Sequence, residues 1–275
     1  MSNRPVTSRE YKLMLNVDRF VDRKEGCDAV LALTEHLLSG VQNIASVERQ
    51  NDSEKVRKTS YLDTADMALC QRSLAVRRRE ESEGKTQLNL KFRSPDRYLS
   101  AANEVLQTLP AAELKPNSKF EEDVIPPFAS RFSRSLTINT DRAVNITTIR
   151  DATGYFPDLA TLDLDTTPLH TVNGFEATEV ERRLCTFRFA DGPKVKASLS
   201  FWYMTHQATG WPLVAEFSFD YDAEELKNRK GKPELETFHG QTVEDTNRLF
   251  LALQRQAGWV NSNMTTKTAY ALAAS

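Results

Sequence analysis

Charged and apolar residues alternate along several segments of this chain. A period of two places successive side chains on opposite faces of a β-strand, so these segments predict strands with one polar and one apolar face. The first example is residues 8–15, where the two faces are Ser8, Glu10 and Lys12 against Tyr11, Leu13 and Leu15. A strand of this kind has its charges either facing water or lining the interior of a curved sheet.

The same pattern recurs along the rest of the chain. It predicts further strands over 55–63, 74–80, 85–93, 119–124, 175–190, 194–204 and 213–222. Apolar residues spaced three and four apart predict helices over 27–39 and 242–257, the latter capped by Thr242. A short helix is expected over 65–72 with Thr64 as its cap, and another helix over 128–137. The fold class is therefore α+β.

One segment does not follow either period. Residues 139–173 are polar, mixed and poorly periodic, and we interpret them as an irregular insertion with one short helix near 146–153. The rest of residues 1–275 is expected to form a single domain, since this length is sufficient for one large core. The insertion is a candidate lid, dimer contact or surface decoration, so a homodimer is among the expected assemblies.

The hairpin 74–80/85–93 carries the first chemical signal. If both of its apolar faces pack against helices, four basic side chains share one inner surface: Arg77, Arg79, Lys91 and Arg93. Like charges at this separation repel each other, so an anion is expected among them. The alternative is a hairpin whose basic face is simply solvated.

Composition limits the classes of partner. The chain has 36 basic and 38 acidic residues and a net charge of −2. This nearly balanced charge does not favour binding to nucleic acid or to a membrane surface. Three scattered cysteines without metal spacing, a polar N-terminus and no long apolar run indicate a cytoplasmic protein with free thiols. The four histidines are isolated, and no Gly-rich phosphate loop or nucleophile elbow is present, so zinc chemistry is not expected.

The order of several short motifs resembles a known family. An acid–x–Lys strand (Glu10, Lys12) is followed by Tyr-x-Asp-Thr-x-Asp from Tyr61, Leu-x-x-Arg-x-Arg from Leu74, Leu-x-Leu-Lys from Leu88, Phe-Glu-Glu from Phe120 and a late Glu-x-x-x-Asp from Glu216. This order resembles the CYTH superfamily of triphosphate tunnel metalloenzymes. The resemblance implies an eight-stranded antiparallel closed β-barrel with flanking helices, whose tunnel binds a triphosphate-containing small molecule together with Mg²⁺ or Mn²⁺.

The resemblance also assigns roles to individual residues. Glu10 and Lys12 would be catalytic, with Glu10, Glu216 and Asp220 as metal ligands. The substrate-binding set would be Lys12, Arg77, Arg79, Lys91, Arg93, Arg183 and Lys267, with Arg57, Lys55 or Arg182 as alternatives. Asp63 is interpreted as a turn and cap residue. Such a cation-lined tunnel fits the chemistry, because arginine forks grip phosphate oxygens and hard metals prefer carboxylates.

Some positions depart from the family pattern. Ser8 and Ser218 stand where the family has acids, and Ser198 and Ser200 occupy a strand that often carries an inward Asp. The metal site is therefore weakened, rebuilt from Asp220 with Glu121 or Asp123, or lost. The expected function is metal-dependent hydrolysis of tripolyphosphate or an organic triphosphate. The alternatives are a class IV-type adenylate cyclase and a barrel that binds polyphosphate or a nucleotide without turnover.

Overall fold

The structure is a computed structural model that describes residues 5–81, 84–204, 208–227, 233–263 and 266–273. Its strands are β1 (Ser8–Met14), β2 (Ile44–Arg49), β3 (Glu54–Asp63), β4 (Leu74–Glu80), β5 (Thr86–Ser94), β6 (Asn117–Ile125), β7 (Ala129–Thr140), β8 (His170–Phe189), β9 (Val195–Tyr203), β10 (Val214–Asp222), β11 (Glu224–Lys227) and β12 (Pro233–Thr237). Its α-helices are α1 (Arg23–Ser39), α2 (Arg97–Ala102), α3 (Ile149–Thr153), α4 (Gly240–Gln254) and α5 (Lys267–Ala273).

The strands form one large, mostly antiparallel sheet with a ring-like arrangement. Within the described residues, the sheet has ten strands in the order β2-β8-β3-β4-β5-β7-β6-β1-β10-β9, and β9 pairs again with β8. Nine strands therefore form a continuous circle of pairings, and β2 flanks β8 outside it. The β1–β6 pair is parallel. The α+β class is confirmed, whereas the observed circle contains nine strands where the sequence predicts eight.

The ninth strand of the circle is β7, and the predicted helix over 128–137 is wrong. This segment pairs along its length with β5 on one side and β6 on the other. Its residues alternate, with Leu136 and Ile138 buried on one face and small hydroxyl side chains such as Ser133 and Ser135 on the other. Pairing on both edges gives every second residue a packed neighbour, which decides the conformation over local propensity.

Helices α1 and α4 cover one outer side of the sheet. Their apolar residues pack with the outward residues of β1, β8, β9 and β10 in a single buried cluster that includes Tyr11, Phe187, Phe219, Leu249 and Phe250. The apolar strand faces thus lie outside the circle against helices, as the sequence predicts. Since side chains alternate along a strand, the polar residues between them point into the circle. His239, rather than Thr242, is the N-cap of α4.

The segment after β7 covers the opposite side. It contains the predicted short helix as α3, followed by a 3₁₀ helix over Pro157–Leu162. Ile146, Ile149 and Phe156 are buried against outward residues of β4 and β5, among them Val76 and Leu88. The poorly periodic insertion is therefore a compact cover that buries apolar residues at irregular spacing.

The turn after β3 fixes the start of the basic hairpin. The carboxylate of the buried Asp63 accepts hydrogen bonds from the backbone N–H groups of Leu69 at 2.9 Å and Cys70 at 2.9 Å. The Thr64 hydroxyl accepts one from the N–H of Ala68 at 2.8 Å. The interpretation of Asp63 as a turn and cap residue is confirmed, although the helix here is only the 3₁₀ segment Cys70–Arg72.

Candidate functional site: a charged cavity inside the ring-like sheet

A cavity of about 730 Å³ lies inside the ring-like sheet. All nine strands of the circle and helix α5 contribute side chains to its wall. This volume is within the usual range for small-molecule sites. The polar faces predicted from the period of two therefore point inward, and the alternative of a solvated basic face is excluded for the residues that line the cavity.

The cavity brings together most of the residues selected from the sequence. Eight of the ten predicted site residues line its wall: Glu10, Lys12, Arg77, Arg79, Lys91, Arg93, Glu216 and Lys267. They come from β1, β4, β5, β10 and α5, which are far apart along the chain. Their convergence is a property of the folded sheet.

The other two predicted residues, Arg183 and Asp220, lie outside the lining. Arg183 is exposed, although the alternation of β8 gives it the same strand face as Glu179 and Glu181. The residues of this strand that line the cavity are Glu179 and Glu181. The alternative Arg182 is buried on the other face, where it pairs with Asp52. β8 therefore contributes carboxylates to the cavity where the family resemblance predicts an arginine.

Asp123 on β6 is the centre of one group of charges. Its carboxylate lies 2.8 Å from Lys12 Nζ, 3.2 Å from Arg93 Nη2 and 3.7 Å from Lys91 Nζ, and Asp123 is 2% exposed. Burial opposes ionisation, but the three cations outweigh it and hold the pKa of Asp123 far below its usual range. Lys12 also contacts Glu10 Oε2 at 2.8 Å. Burial lowers the pKa of Lys12, but Asp123 and Glu10 outweigh this effect and raise it.

Glu179 on β8 is the centre of a second group. Its carboxylate accepts a hydrogen bond from Arg79 Nη2 at 2.8 Å and lies 2.7 Å from Arg79 Nε, which makes a close ion-pair contact without a hydrogen bond. Arg57 and Lys267 each lie 3.5 Å from the same carboxylate. Glu179 is 0% exposed. Burial raises its pKa, but Arg79, Lys267 and Arg57 outweigh this effect, and the pKa is well below its usual range.

Arg77 differs from these cations. Within the described residues it forms no ion pair, whereas Arg57, Arg79 and Arg93 each have one. Burial, followed by the charge of Arg79, lowers the pKa of Arg77. A guanidinium stays charged even so, because its unperturbed pKa is above about 12. Arg77 is therefore a cation whose charge the cavity does not compensate directly.

Glu10 and Asp220 form the acidic part of the predicted metal site. They are direct cross-strand partners on β1 and β10, whereas Glu216 lies four positions away, opposite Met14. Glu216 instead contacts Lys267 Nζ at 3.1 Å. Burial and the neighbouring charge of Glu10 raise the pKa of Asp220 to about 6. Within the described part of the chain, no group of three Asp, Glu, His or Cys side chains could hold a metal ion by themselves.

Asp220→Asn is expected to stabilise the protein at neutral pH. The pKa of Asp220 is raised in the folded state, so folding loses stability as pH rises from about 4 towards 6, and the asparagine variant avoids this loss. We expect a gain of about 2 kcal/mol near pH 8 and almost none near pH 4. Urea denaturation with EDTA at both pH values measures it. The control is Asp222→Asn, an exposed aspartate on the same strand, and equal profiles for both variants would contradict the expectation.

Sequence reasoning missed several charged residues of the cavity. The family resemblance points to Arg182 or Arg183 on β8, whereas the cavity is lined by Glu179 and Glu181. The alternation of β8 identifies these two glutamates. Arg131 was missed because its segment was interpreted as a helix; it lines the cavity as an inward residue of β7. Asp123 was considered only as a substitute metal ligand, whereas its position among three cations makes it their counterion.

An apolar cluster lies at one end of the cavity. Tyr61, Trp202 and Met14 pack there with Ala271 of α5, and the Tyr61 hydroxyl is 3.2 Å from Thr268 Oγ1. Lys267 enters the cavity from the same helix, with its Nζ 6.0 Å from the centre of the Trp202 ring. Helix α5 thus packs apolar residues against the end of the sheet while placing one ammonium among the carboxylates.

Comparison with known proteins gives similar structures but no matching sequence family. No protein-family model matches the chain, and no curated protein matches it. Among solved structures, a candidate adenylyl cyclase from Hippeastrum, described as having a dominant triphosphatase activity, is 12% identical with a TM-score of 0.47, and the match covers 96% of this chain and 94% of that one.

Two further structures are candidate adenylate cyclases from bacteria. The one from Bacillus halodurans is 14% identical with a TM-score of 0.35, covering 90% of this chain and 91% of that one. The one from Vibrio parahaemolyticus is 10% identical with a TM-score of 0.34, covering 94% and 91%. All three likenesses have low sequence identity and TM-scores below 0.5. The function proposed below depends on the side chains of the cavity alone.

No helix in the described part of the chain combines the length and the apolar character needed to cross a membrane.

Proposed function

We propose that this protein hydrolyses a triphosphate, either inorganic tripolyphosphate or an organic triphosphate, in the cavity of the ring-like sheet, which serves as the closed barrel of a triphosphate tunnel. The observation that carries the proposal is the convergence of Lys12, Arg77, Arg79, Lys91, Arg93 and Lys267 on one cavity. A triphosphate carries about four negative charges, and binding it requires several convergent cations.

The charge of the wall fits such an anion. Nine cationic side chains belong to the cavity or contact its carboxylates directly: Lys12, Arg57, Arg77, Arg79, Lys91, Arg93, Lys119, Arg131 and Lys267. Six carboxylates lie among them: Glu10, Glu121, Asp123, Glu179, Glu181 and Glu216. The balance is therefore positive by about three charges, and a polyanion offsets that excess in a site shielded from water.

Each residue has a role that follows from its position. Arg77 and Arg79 lie two residues apart on β4, so their guanidinium groups address the same face of a bound phosphate chain. Lys12, Lys91 and Arg93 reach the site from the adjacent part of the circle. Hydrolysis of a phosphoric anhydride depends mainly on such positioning and on electrostatic stabilisation of the transferring phosphoryl group.

The acidic residues fit a divalent cation. Glu10 and Asp220 offer oxygen ligands on neighbouring strands. Burial, and then the charge of Glu10, raise the pKa of Asp220, and a bound cation would offset both effects. Mg²⁺ is commonly held by one or two carboxylates together with substrate phosphates, so a full set of protein ligands is not required. When bound, the metal would neutralise phosphate charge and lower the pKa of a coordinated water. Glu216, bound to Lys267, is the more distant of the three proposed ligands.

A second candidate function is anion binding without turnover. The observation that favours it is the presence of Ser8 and Ser218 where the family resemblance predicts acids, and of Ser198 and Ser200 on a strand that often carries an inward Asp. The proposal and this alternative differ in the fate of the substrate, and one assay separates them.

Phosphate release from tripolyphosphate, ATP and thiamine triphosphate should require Mg²⁺ or Mn²⁺, and Glu10→Gln should lower the rate more than tenfold, because one of the two adjacent metal ligands is lost. A colorimetric phosphate assay with a metal titration measures both effects. The matched control is Glu122→Gln, the outward neighbour on β6 that pairs with Arg9.

Each outcome of this assay is informative. Metal-dependent release that Glu10→Gln reduces supports the hydrolase. No release, combined with a higher melting temperature in tripolyphosphate, would replace the hydrolase by the binding protein. The absence of both release and stabilisation would overturn both candidates.

A further inference from the structure

A close contact between a cation and a carboxylate in the cavity belongs to a residue without an assigned role. Glu179 accepts a hydrogen bond from Arg79 Nη2 at 2.8 Å and lies 2.7 Å from Arg79 Nε. Its two oxygens also accept from the Thr59 hydroxyl at 3.0 Å and the Ser200 hydroxyl at 3.1 Å. The carboxylate is thus fixed from β3 and β9 and in turn fixes the guanidinium of β4.

This arrangement has two physical consequences. An arginine already held by a hydrogen bond and a close ion pair to a fixed carboxylate loses little further conformational freedom when a phosphate binds, which is the condition for effective electrostatic stabilisation. At the same time, a permanently ionised carboxylate next to the phosphate site repels a polyanion and limits how tightly it is held. One residue can therefore raise the rate of the reaction while lowering the affinity for the substrate.

We infer that Glu179 is a positioning residue that orients Arg79 for phosphoryl transfer and weakens the binding of polyanions by its charge. The orienting role in phosphoryl transfer rests on the proposed function. The effect on binding applies to any polyanion in this cavity. The contacts of Glu179 with Arg57 and Lys267, both at 3.5 Å, extend the same effect to two more cations.

Glu181 offers a matched control. It is the next inward carboxylate on β8 and also lines the cavity, but its ion pair is with Arg57 and it does not contact Arg79. Glu179→Gln and Glu181→Gln therefore make the same change in net charge, and only the first removes the ion pair with Arg79. Differences between them report on the positioning of Arg79 rather than on charge.

The experiment measures binding and turnover separately with inorganic tripolyphosphate. Calorimetric titration without metal gives Kd, and initial rates with Mg²⁺ or Mn²⁺ give kcat and KM. For Glu179→Gln we expect Kd to fall roughly fivefold and kcat to fall about tenfold or more. For Glu181→Gln we expect a fall in Kd with a smaller change in kcat. A residue with only a structural role would reduce the active fraction without changing Kd.

A third variant protects the test against a failure to fold. Glu179→Asp keeps the charge but shortens the side chain by one methylene, so Kd should stay near the wild-type value while kcat falls. An unchanged kcat in Glu179→Gln, an unchanged or higher Kd, or equal kcat losses in both glutamine variants would overturn the inference. Failure of the proposed function has a different signature, since the wild type itself would then release no phosphate.

Discussion

Arg77→Ala is expected to lower kcat/KM for tripolyphosphate by about 10² to 10³ while the protein becomes no less stable than the wild type. Arg77 lines the cavity without an ion pair among the described residues. Its burial and its proximity to Arg79 oppose the charge, as its lowered pKa indicates. A cation whose burial costs free energy in the protein alone gains its partner when a phosphate binds.

Stability and activity should therefore change independently in this variant. Removing a buried, uncompensated charge removes a desolvation penalty, although the alanine also leaves a space in the wall. Initial-rate kinetics and urea denaturation on the same preparation measure both quantities. The control is Arg78→Ala, one residue along β4, where the side chain pairs with Glu80 and does not line the cavity. Equal kinetic losses in both variants would contradict a role for Arg77 in binding the substrate.

Asp123→Ala is expected to lower the free energy of unfolding by about 3–5 kcal/mol. The carboxylate is 2% exposed and serves Lys12, Lys91 and Arg93 together. Its removal leaves three neighbouring cations with their mutual repulsion and without the shared counterion. Addition of tripolyphosphate should restore part of the loss, because the ligand supplies negative charge at the same place.

The pH dependence gives a second measurement of the same contact. The pKa of Asp123 is depressed in the folded state, so its contribution to stability is present above the pKa of the unfolded chain, about 4, and is lost as pH falls. The difference between wild type and Asp123→Ala should therefore narrow below about pH 4. The exposed Asp141→Asn is the control. A loss of less than about 1 kcal/mol at neutral pH would contradict the role of Asp123 as counterion.

The basic hairpin shows what local pattern can predict. Arg77 and Arg79 lie on the strand face opposite Leu74 and Val76, and Lys91 and Arg93 alternate with Leu90 and Phe92. Both arrangements follow from backbone geometry alone. The structure places all four cations in the cavity and packs Leu90 in the cluster outside it. The face to which a side chain points depends on whether its position along the strand is odd or even, and this can be read from a single sequence.

The segment around β7 shows where local pattern is insufficient. Its Phe, Leu and Ile residues suit a helix or a strand, and only the neighbours on both edges, β5 and β6, decide for the strand. Because this segment was predicted to be a helix, Arg131 was not identified as a residue that lines the cavity. Arg183 gives a second example, since alternation places it on the same strand face as Glu179 and Glu181, yet it is exposed and outside the cavity lining. Alternation indicates the face of a strand but not the point along the strand at which the cavity ends.

The sequence by itself determined the α+β class and the group of cations that point inward, because periodicity and turn chemistry are local. The tertiary structure alone decided which of these cations receives a counterion. Lys12 meets Asp123 over a sequence separation of 111 residues, and Arg79 meets Glu179 over a separation of 100. Such pairs depend on strand order, register and the return of β9 to β8, and these are properties of the whole chain.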